Sequence, residues 1–339
     1  MSNIDLSTEY LGLRLASPLI PEASLPGHSL DNALRLEDAG AAAILMHSLF
    51  EEELRHDEKM ATRFLIHPET GHAEADSFLP FSAGYRHGLD RYLARIRALK
   101  DRLAIPVIAS LSGVSPDGWL DHARELEQAG ANALELDTCL LAADTRQNSQ
   151  EVEERYVELV QGLRSRAGIP LTVRLAPWFT ALPHFVRQLG RAGAGGVVLF
   201  SRMPQPDIDL ENLRVSSRLP PAGAADSLRA LRWIAILYGR VDVSLAAAGG
   251  IHTTGDVLKA LLAGADAACL GGTAPDDGPR RLADIRTRIT AWMEEHGFES
   301  ITELKGWLSQ RHCADPAAYE HSGHLWFLDG QGSPPGVQR

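Results

Sequence analysis

Apolar and polar positions along the chain recur as a unit. The segments ALRLEDAGAAAILM, ARELEQAGANALELD, VRQLGRAGAGGVVLF and LKALLAGADAACLG each place apolar residues at helical spacing, then Ala-Gly-Ala, then a short apolar run. Gly40, Gly130, Gly193 and Gly264 fall where a helix ends and a left-handed residue is needed. The runs that follow do not alternate, as expected of parallel strands covered on both faces. Two further runs, LAIPVIASLSG and AGIPLTVRLAP, start on Pro106 and Pro170, which close the preceding segment and open a strand. SPLIPEAS and VDVSLAAAGG complete a set of eight strands beginning near Pro18, Ala42, Pro106, Ala133, Pro170, Gly196, Val241 and Ala267.

Eight α/β units with no break in composition predict an α/β fold, a single (β/α)8 TIM barrel, with a doubly wound sheet as the alternative. The unit spans residues 1–339, with the barrel in 1–296 and a C-terminal extension in 297–339. A long insertion, Phe50–Gly88, follows strand two, and a Pro-rich polar stretch, Met203–Ala225, follows strand six. Long loops on the strand-exit side are where barrels build their sites.

Composition narrows the function. Lys and Arg number 33 against 44 Asp and Glu, a net charge of −11, which argues against broad nucleic-acid or anionic-membrane binding. Three scattered cysteines make no disulfide framework. MSNIDLSTEYLGL is no signal peptide, and no run is long enough to span a bilayer, so a cytoplasmic protein is expected. The tail RHCADPAAYEHSGH matches no standard zinc spacing, and no metal is expected.

Read at the strand exits, the chemistry becomes specific. Glu22, Ala23 and Ser24 end strand one; His47 and Ser48 end strand two; Ser110 and Ser112 end strand three; Asp137, Thr138 and Cys139 end strand four. Arg174 lies in strand five, Ser201 and Arg202 end strand six, Gly249 and Gly250 strand seven, and Gly271, Gly272 and Thr273 strand eight. The glycine pairs fall on loops seven and eight, the usual phosphate site of barrels. Arg174 sits in an apolar run and needs an anion, either a ligand or a structural partner in Glu135 or Asp137. His47 either faces the site or is a satisfied core histidine. No lysine stands at a strand exit, which counts against Schiff-base chemistry.

These motifs resemble the dihydroorotate dehydrogenases, specifically the soluble single-barrel branch that binds FMN. LASPLIPEAS, PVIASLSG, ALELDTC, LTVRLAPWF and above all AAAGGIHTTGDVLKALLAGADAACLGGTA carry the resemblance over nearly the whole chain. QPDIDLENL, LRWIAILYGRV and SQRHCADPAAYE are similar to a dihydroorotate dehydrogenase-like subgroup. The resemblance implies a flavoprotein oxidoreductase of pyrimidine biosynthesis, dimeric, turning dihydroorotate into orotate. Its FMN phosphate would lie on Gly249, Gly250, Gly272 and Thr273, and its flavin ring on Ala23, Ser24, Ser48, Arg174 and Ser201. Catalytic roles would fall to Cys139, Asp137 and His47.

The chain departs from the family on the substrate side. His47 and Arg174 stand where the family has lysines, Asp137 and Ser201 where it has asparagines, and Leu140-Leu141 where it has Pro-Asn. Cys139 comes one residue early, LELDTC against LELNLSC. FMN binding therefore carries over better than orotate chemistry, and Asp137 is expected to form an ion pair with Arg174 beside the flavin. The alternatives are a flavin-binding accessory or electron-transfer component with a redox partner, and a non-redox phosphate-binding barrel.

Overall fold

A computed structural model describes residues 4–22, 29–54, 88–115, 118–138, 140–219, 223–271 and 277–314, together with 316 and 320. The chain opens on a hairpin, β1 (Thr8–Tyr10) and β2 (Leu13–Leu15), turned at Leu11 and Gly12 with φ of 55° and 71°. Then follow β3 (Leu19–Pro21), α1 (Leu30–Asp38), β4 (Ile44–Phe50), α2 (Gly88–Lys100), β5 (Val107–Ser112), α3 (His122–Gln128), β6 (Ala133–Asp137), α4 (Ser149–Arg164), β7 (Leu171–Leu175), α5 (Leu182–Ala192) and β8 (Gly196–Leu199). A second hairpin, β9 (Gln205–Asp209) and β10 (Arg214–Arg218), precedes α6 (Ala224–Leu237), β11 (Ser244–Ala247), α7 (Thr254–Ala263), β12 (Ala267–Leu270), α8 (Gly278–Glu295) and α9 (Ile301–Leu304).

The strands pair in parallel in the order β3-β12-β11-β8-β7-β6-β5-β4. The two end strands meet: Ala42 N donates to Leu19 O at 2.9 Å and Glu22 bridges Leu45, which brings the sheet round into a TIM barrel. Every predicted strand start is met within three residues, the largest offset being Val241 against Ser244. Gly40, Gly130, Gly193 and Gly264 have φ of 98°, 104°, 108° and 120°, as the helix-ending role requires. Among the described residues no helix is long and apolar enough to cross a membrane.

Side chains alternate along the strands. Leu134, Leu136, Val173, Leu175, Val197 and Leu199 face outward under the helices. Inside, Ile20, Leu45, Ile108, Ala133, Val198, Ala246, Ala267 and Cys269 form a separate cluster with the first hairpin. That hairpin stoppers the end where the strands begin. Tyr10 Oη donates to Thr172 Oγ1 at 3.3 Å, Leu11 N to Ser244 Oγ at 3.0 Å and Thr8 Oγ1 to Asp266 O at 2.9 Å. The C-terminal extension packs near the same end, where Lys305 pairs with Asp266 at 2.6 Å and Ile301 N donates to Asp5 O at 2.9 Å. Among the described residues, the opposite, strand-exit end is open.

Two elements were not expected: the stopper, whose strands are only three residues each, and β9–β10 inside the Pro-rich stretch. The second hairpin is held by Arg218–Asp207 at 2.9 Å and Arg214–Asp209 at 3.2 Å, and it leaves Ile208, Leu213 and Val215 exposed. The insertion after strand two lies mostly outside the described residues.

The stopper makes a specific demand on Gly196. A Cβ there would stand 2.5 Å from Leu11 Cδ2 and 3.2 Å from both Ser244 O and Thr172 Oγ1. Gly196→Ala is therefore expected to cost about 1–3 kcal/mol through overpacking, measured as a lower urea midpoint with an unchanged slope.

Candidate functional site

The open end is built by register. Ser110 lies beside Glu135, Asp137 beside Arg174, and Arg174 beside Val198, so their side chains share the barrel interior near the strand exits. Arg174 is the centre of this cluster and is 9% exposed. Its Nε and Nη2 donate to the two oxygens of Glu135 at 3.0 and 3.1 Å, and its Nη1 donates to Glu22 Oε1 at 2.6 Å. Ser110 Oγ donates to Glu135 Oε1 at 3.4 Å and lies 2.9 Å from Ser48 Oγ. A polar chain thus runs from strand two through strands three and four to strand five, and back to strand one.

The expected Asp137–Arg174 pairing is corrected by this geometry. Register puts the two residues side by side, but the guanidinium folds back toward the layer below and forks onto Glu135. Asp137 Oδ1 instead accepts from Ser201 Oγ at 2.8 Å. Of the two structural partners weighed for Arg174, Glu135 takes the bidentate place. Glu22 is the partner that sequence reasoning missed; it was visible only as an acidic residue ending strand one.

Burial raises the Glu135 carboxyl above its ordinary value, and Arg174 pulls in the other direction. Burial likewise opposes charge on Arg174, but Glu135 and then Glu22 outweigh it and hold its pKa well above the usual value. The direction for the pair is set by the guanidinium, which stays protonated and keeps Glu135 as its counter-ion.

His47 sits at a bulge. Leu45 opposes Ile108 and Ser48 opposes Ser110, so three residues of β4 match two of β5. Ser48 thereby turns inward, and the half-buried His47 ring stands edge-on to Tyr92 at 5.1 Å while still lining the mouth. Burial first, then the nearby Arg95, lowers its pKa. Tyr92 Oη donates to His47 O at 2.9 Å and accepts from Ser110 N at 3.0 Å.

At the exit of β11, Gly249 and Gly250 have φ of 72° and 88°. Gly250 is glycine for packing: a Cβ would lie 2.6 Å from Gly223 O. Gly249 instead borders the open space, although a Cβ there would lie 3.2 Å from Phe200 O. A cavity of about 290 Å³ is bounded by Glu22, His47, Ser48, Asp137, Arg174 and Gly249. A second lobe of about 310 Å³, lined by Trp178, Ser201, Arg202 and Arg229, shares Phe200, Arg202, Leu219 and Gly249 with it. Arg202, read from the sequence as ending strand six, lines both lobes, whereas Trp178 and Arg229 had been given no part in the site. Ala23, Ser24, Cys139, Gly272 and Thr273 lie outside the described residues.

A parallel eight-stranded barrel with charged side chains gathered at its strand exits belongs to the class of TIM-barrel proteins whose sites lie at that face. Residues 81–293 match the family described as Dihydroorotate dehydrogenase, and the chain belongs to that family. It is 28% identical over 213 residues to the "Dihydroorotate dehydrogenase B (NAD(+)), catalytic subunit" of Shouchella clausii, covering 61% of this chain and 69% of that one. The protein of the same name from Methanothermobacter thermautotrophicus is 23% identical, over 89% of this chain and 97% of its own. A protein of Aeropyrum pernix provisionally named dihydroorotate dehydrogenase A (fumarate) is 25% identical, over 90% and 98%.

Arg174→Met should destabilise the fold by about 3–5 kcal/mol, because it leaves a buried carboxylate without its cation. Adding Glu135→Leu should recover much of that loss, so a double-mutant cycle in denaturant should show strong coupling. His47 sets a pH dependence of its own. Above its ordinary pKa of about 6.5 it is neutral in both states. Below that, the unfolded chain takes up the proton first, so stability falls with pH until the folded-state pKa is passed. Unfolding free energies between about pH 5 and 8 should show this fall, and His47→Gln should remove its share of it.

Proposed function

We propose that this protein is an FMN-dependent oxidoreductase that removes two hydrogens from a CH–CH unit of a small ring substrate, and that dihydroorotate is a poor reductant for it. The observation that carries the reading is one cavity that joins the buried cation of strand five to the left-handed glycine at the exit of strand seven. Family membership supports FMN as the cofactor, and the described residues fit it on two counts. Gly249 leaves its backbone bare in the cavity, where a Cβ would come within 3.2 Å of Phe200 O. Taken together, the two adjoining lobes, about 290 and 310 Å³, fall in the range of cofactor sites.

In this reading Gly249 and Gly250, with Gly272 and Thr273, hold the phosphate through backbone N–H groups. Ala23 and Ser24 pack on the ring; Ser48, Ser201 and Arg174 line its polar edge. When bound, FMN supplies the acceptor for a hydride equivalent. The chain supplies the base for the accompanying proton: Cys139 or the neutral imidazole of His47, with Asp137 held in place by Ser201. Arg174 cannot take part in proton transfer at ordinary pH.

The charges of the mouth argue against an anionic substrate. Glu22, Glu135 and Asp137 border the inner lobe, and Arg174 is engaged by two of them. A substrate carboxylate entering there meets like charge, where a neutral ring with N–H donors meets acceptors. The names of the relatives as catalytic subunits support a second proposal, that electrons leave through a separate redox partner.

The test is to reconstitute the purified protein with FMN and add dihydroorotate without oxygen. Stoichiometric yellow protein whose flavin bleaches slowly is the expected result. Protein that takes up no FMN ends the flavin reading, and bleaching at a turnover rate ends the claim about the substrate.

A further inference from the structure

The geometry points to Glu22 as a positioning residue that lowers the reduction potential of the bound flavin by cancelling the charge of Arg174. This rests on the FMN reading above. A guanidinium has five N–H donors, and Glu135 alone, with two contacts at 3.0 and 3.1 Å and 4% exposure, already supplies Arg174 with a full counter-charge. Glu22 adds a second carboxylate from another strand, 2.6 Å from Nη1, and at 21% exposure it borders the cavity itself. One cation therefore touches two anions, and Asp137 stands beside it in register.

The other oxygen of Glu22 fixes where that charge lies. Oε2 stands over Gly271 at the exit of β12, so close that a Cβ there would be 2.8 Å away. The carboxylate thus lies between Arg174 and Gly271 at the exit of strand eight. Reducing a flavin adds electrons to the ring system, and a net cation beside it favours that step. A cation overcompensated by carboxylates does not. The arrangement keeps a buried Arg in the site while removing its help to the reduced cofactor.

Glu22→Gln tests this, because the amide retains an acceptor for Nη1 and loses only the charge. The midpoint potential of bound FMN, followed by anaerobic titration, should rise by at least tenfold in the reduced-to-oxidised ratio, about 30 mV for a two-electron couple. Gly271→Ala should act in the same direction, since its Cβ must push the flexible carboxylate end off Arg174. It carries the test if Glu22→Gln does not fold. Glu294→Gln, an exposed carboxylate on α8, should leave the potential where it was. FMN bound with a shift below threefold, about 14 mV, or with a fall in potential, overturns this inference alone. A wild-type protein that binds no FMN overturns it together with the reading on which it rests.

Discussion

A guanidinium cannot discard its proton to escape burial, and in this barrel everything at the open end is arranged around that fact. Arg174 lies in LTVRL, a strand buried at every position, so the sheet has to deliver anions to it. It does so from β6 with Glu135 and from the end of β3 with Glu22. Ser110 and Ser48 extend the chain of contacts to β5 and β4. A slip of one residue in β7 would turn Arg174 out under the helices and strand both carboxylates, so the pair also helps to hold the register of the strands around it.

The same constraint divides the barrel interior. On one side Ser110, Glu135 and Arg174 fill it with polar groups that satisfy one another, and Thr172 is met by Tyr10. On the other, Gly196, Ala246, Ala248 and Ala267 are small. Space is therefore left above β8 and β11, and it is there that the two lobes of the cavity meet at Phe200, Arg202 and Gly249. The floor of the mouth is acidic, whereas Arg202 stands where the lobes meet and the outer lobe adds Arg229 against Asp226. A ligand with an anionic tail is oriented by that difference before any specific contact forms.

How much of this could be read in advance depended on the range of the interaction. The strands were legible because Ala-Gly-Ala and Ile-Pro mark boundaries locally, through left-handed glycines and a proline that cannot continue a helix. That Arg174 needed a partner was legible too, from one charge in an apolar run. Which partner was not. Glu22 is 152 positions away, and only barrel closure brings it to Nη1. Asp137 was the natural expectation from neighbouring strands, but a side chain as long as arginine can bypass its register neighbour. His47 defeated simple alternation because the bulge inserts a residue and reverses which side chains face inward. The hairpin β9–β10 was hidden by Pro206 and its charged residues, which read as a loop.

The stopper has a consequence for how the chain folds. Its residues lie far upstream of their partners: Tyr10 reaches Thr172 across 162 positions, Leu11 reaches Ser244 across 233, and Thr8 reaches Asp266 across 258. Until β11 and β12 exist, Tyr10 and Leu11 have no place to bury themselves. Contacts of such long range demand the largest loss of chain freedom before they return any stability, and they slow folding accordingly. The floor of the barrel is therefore expected to be sealed late, by a segment far upstream in sequence of the strands that bury it.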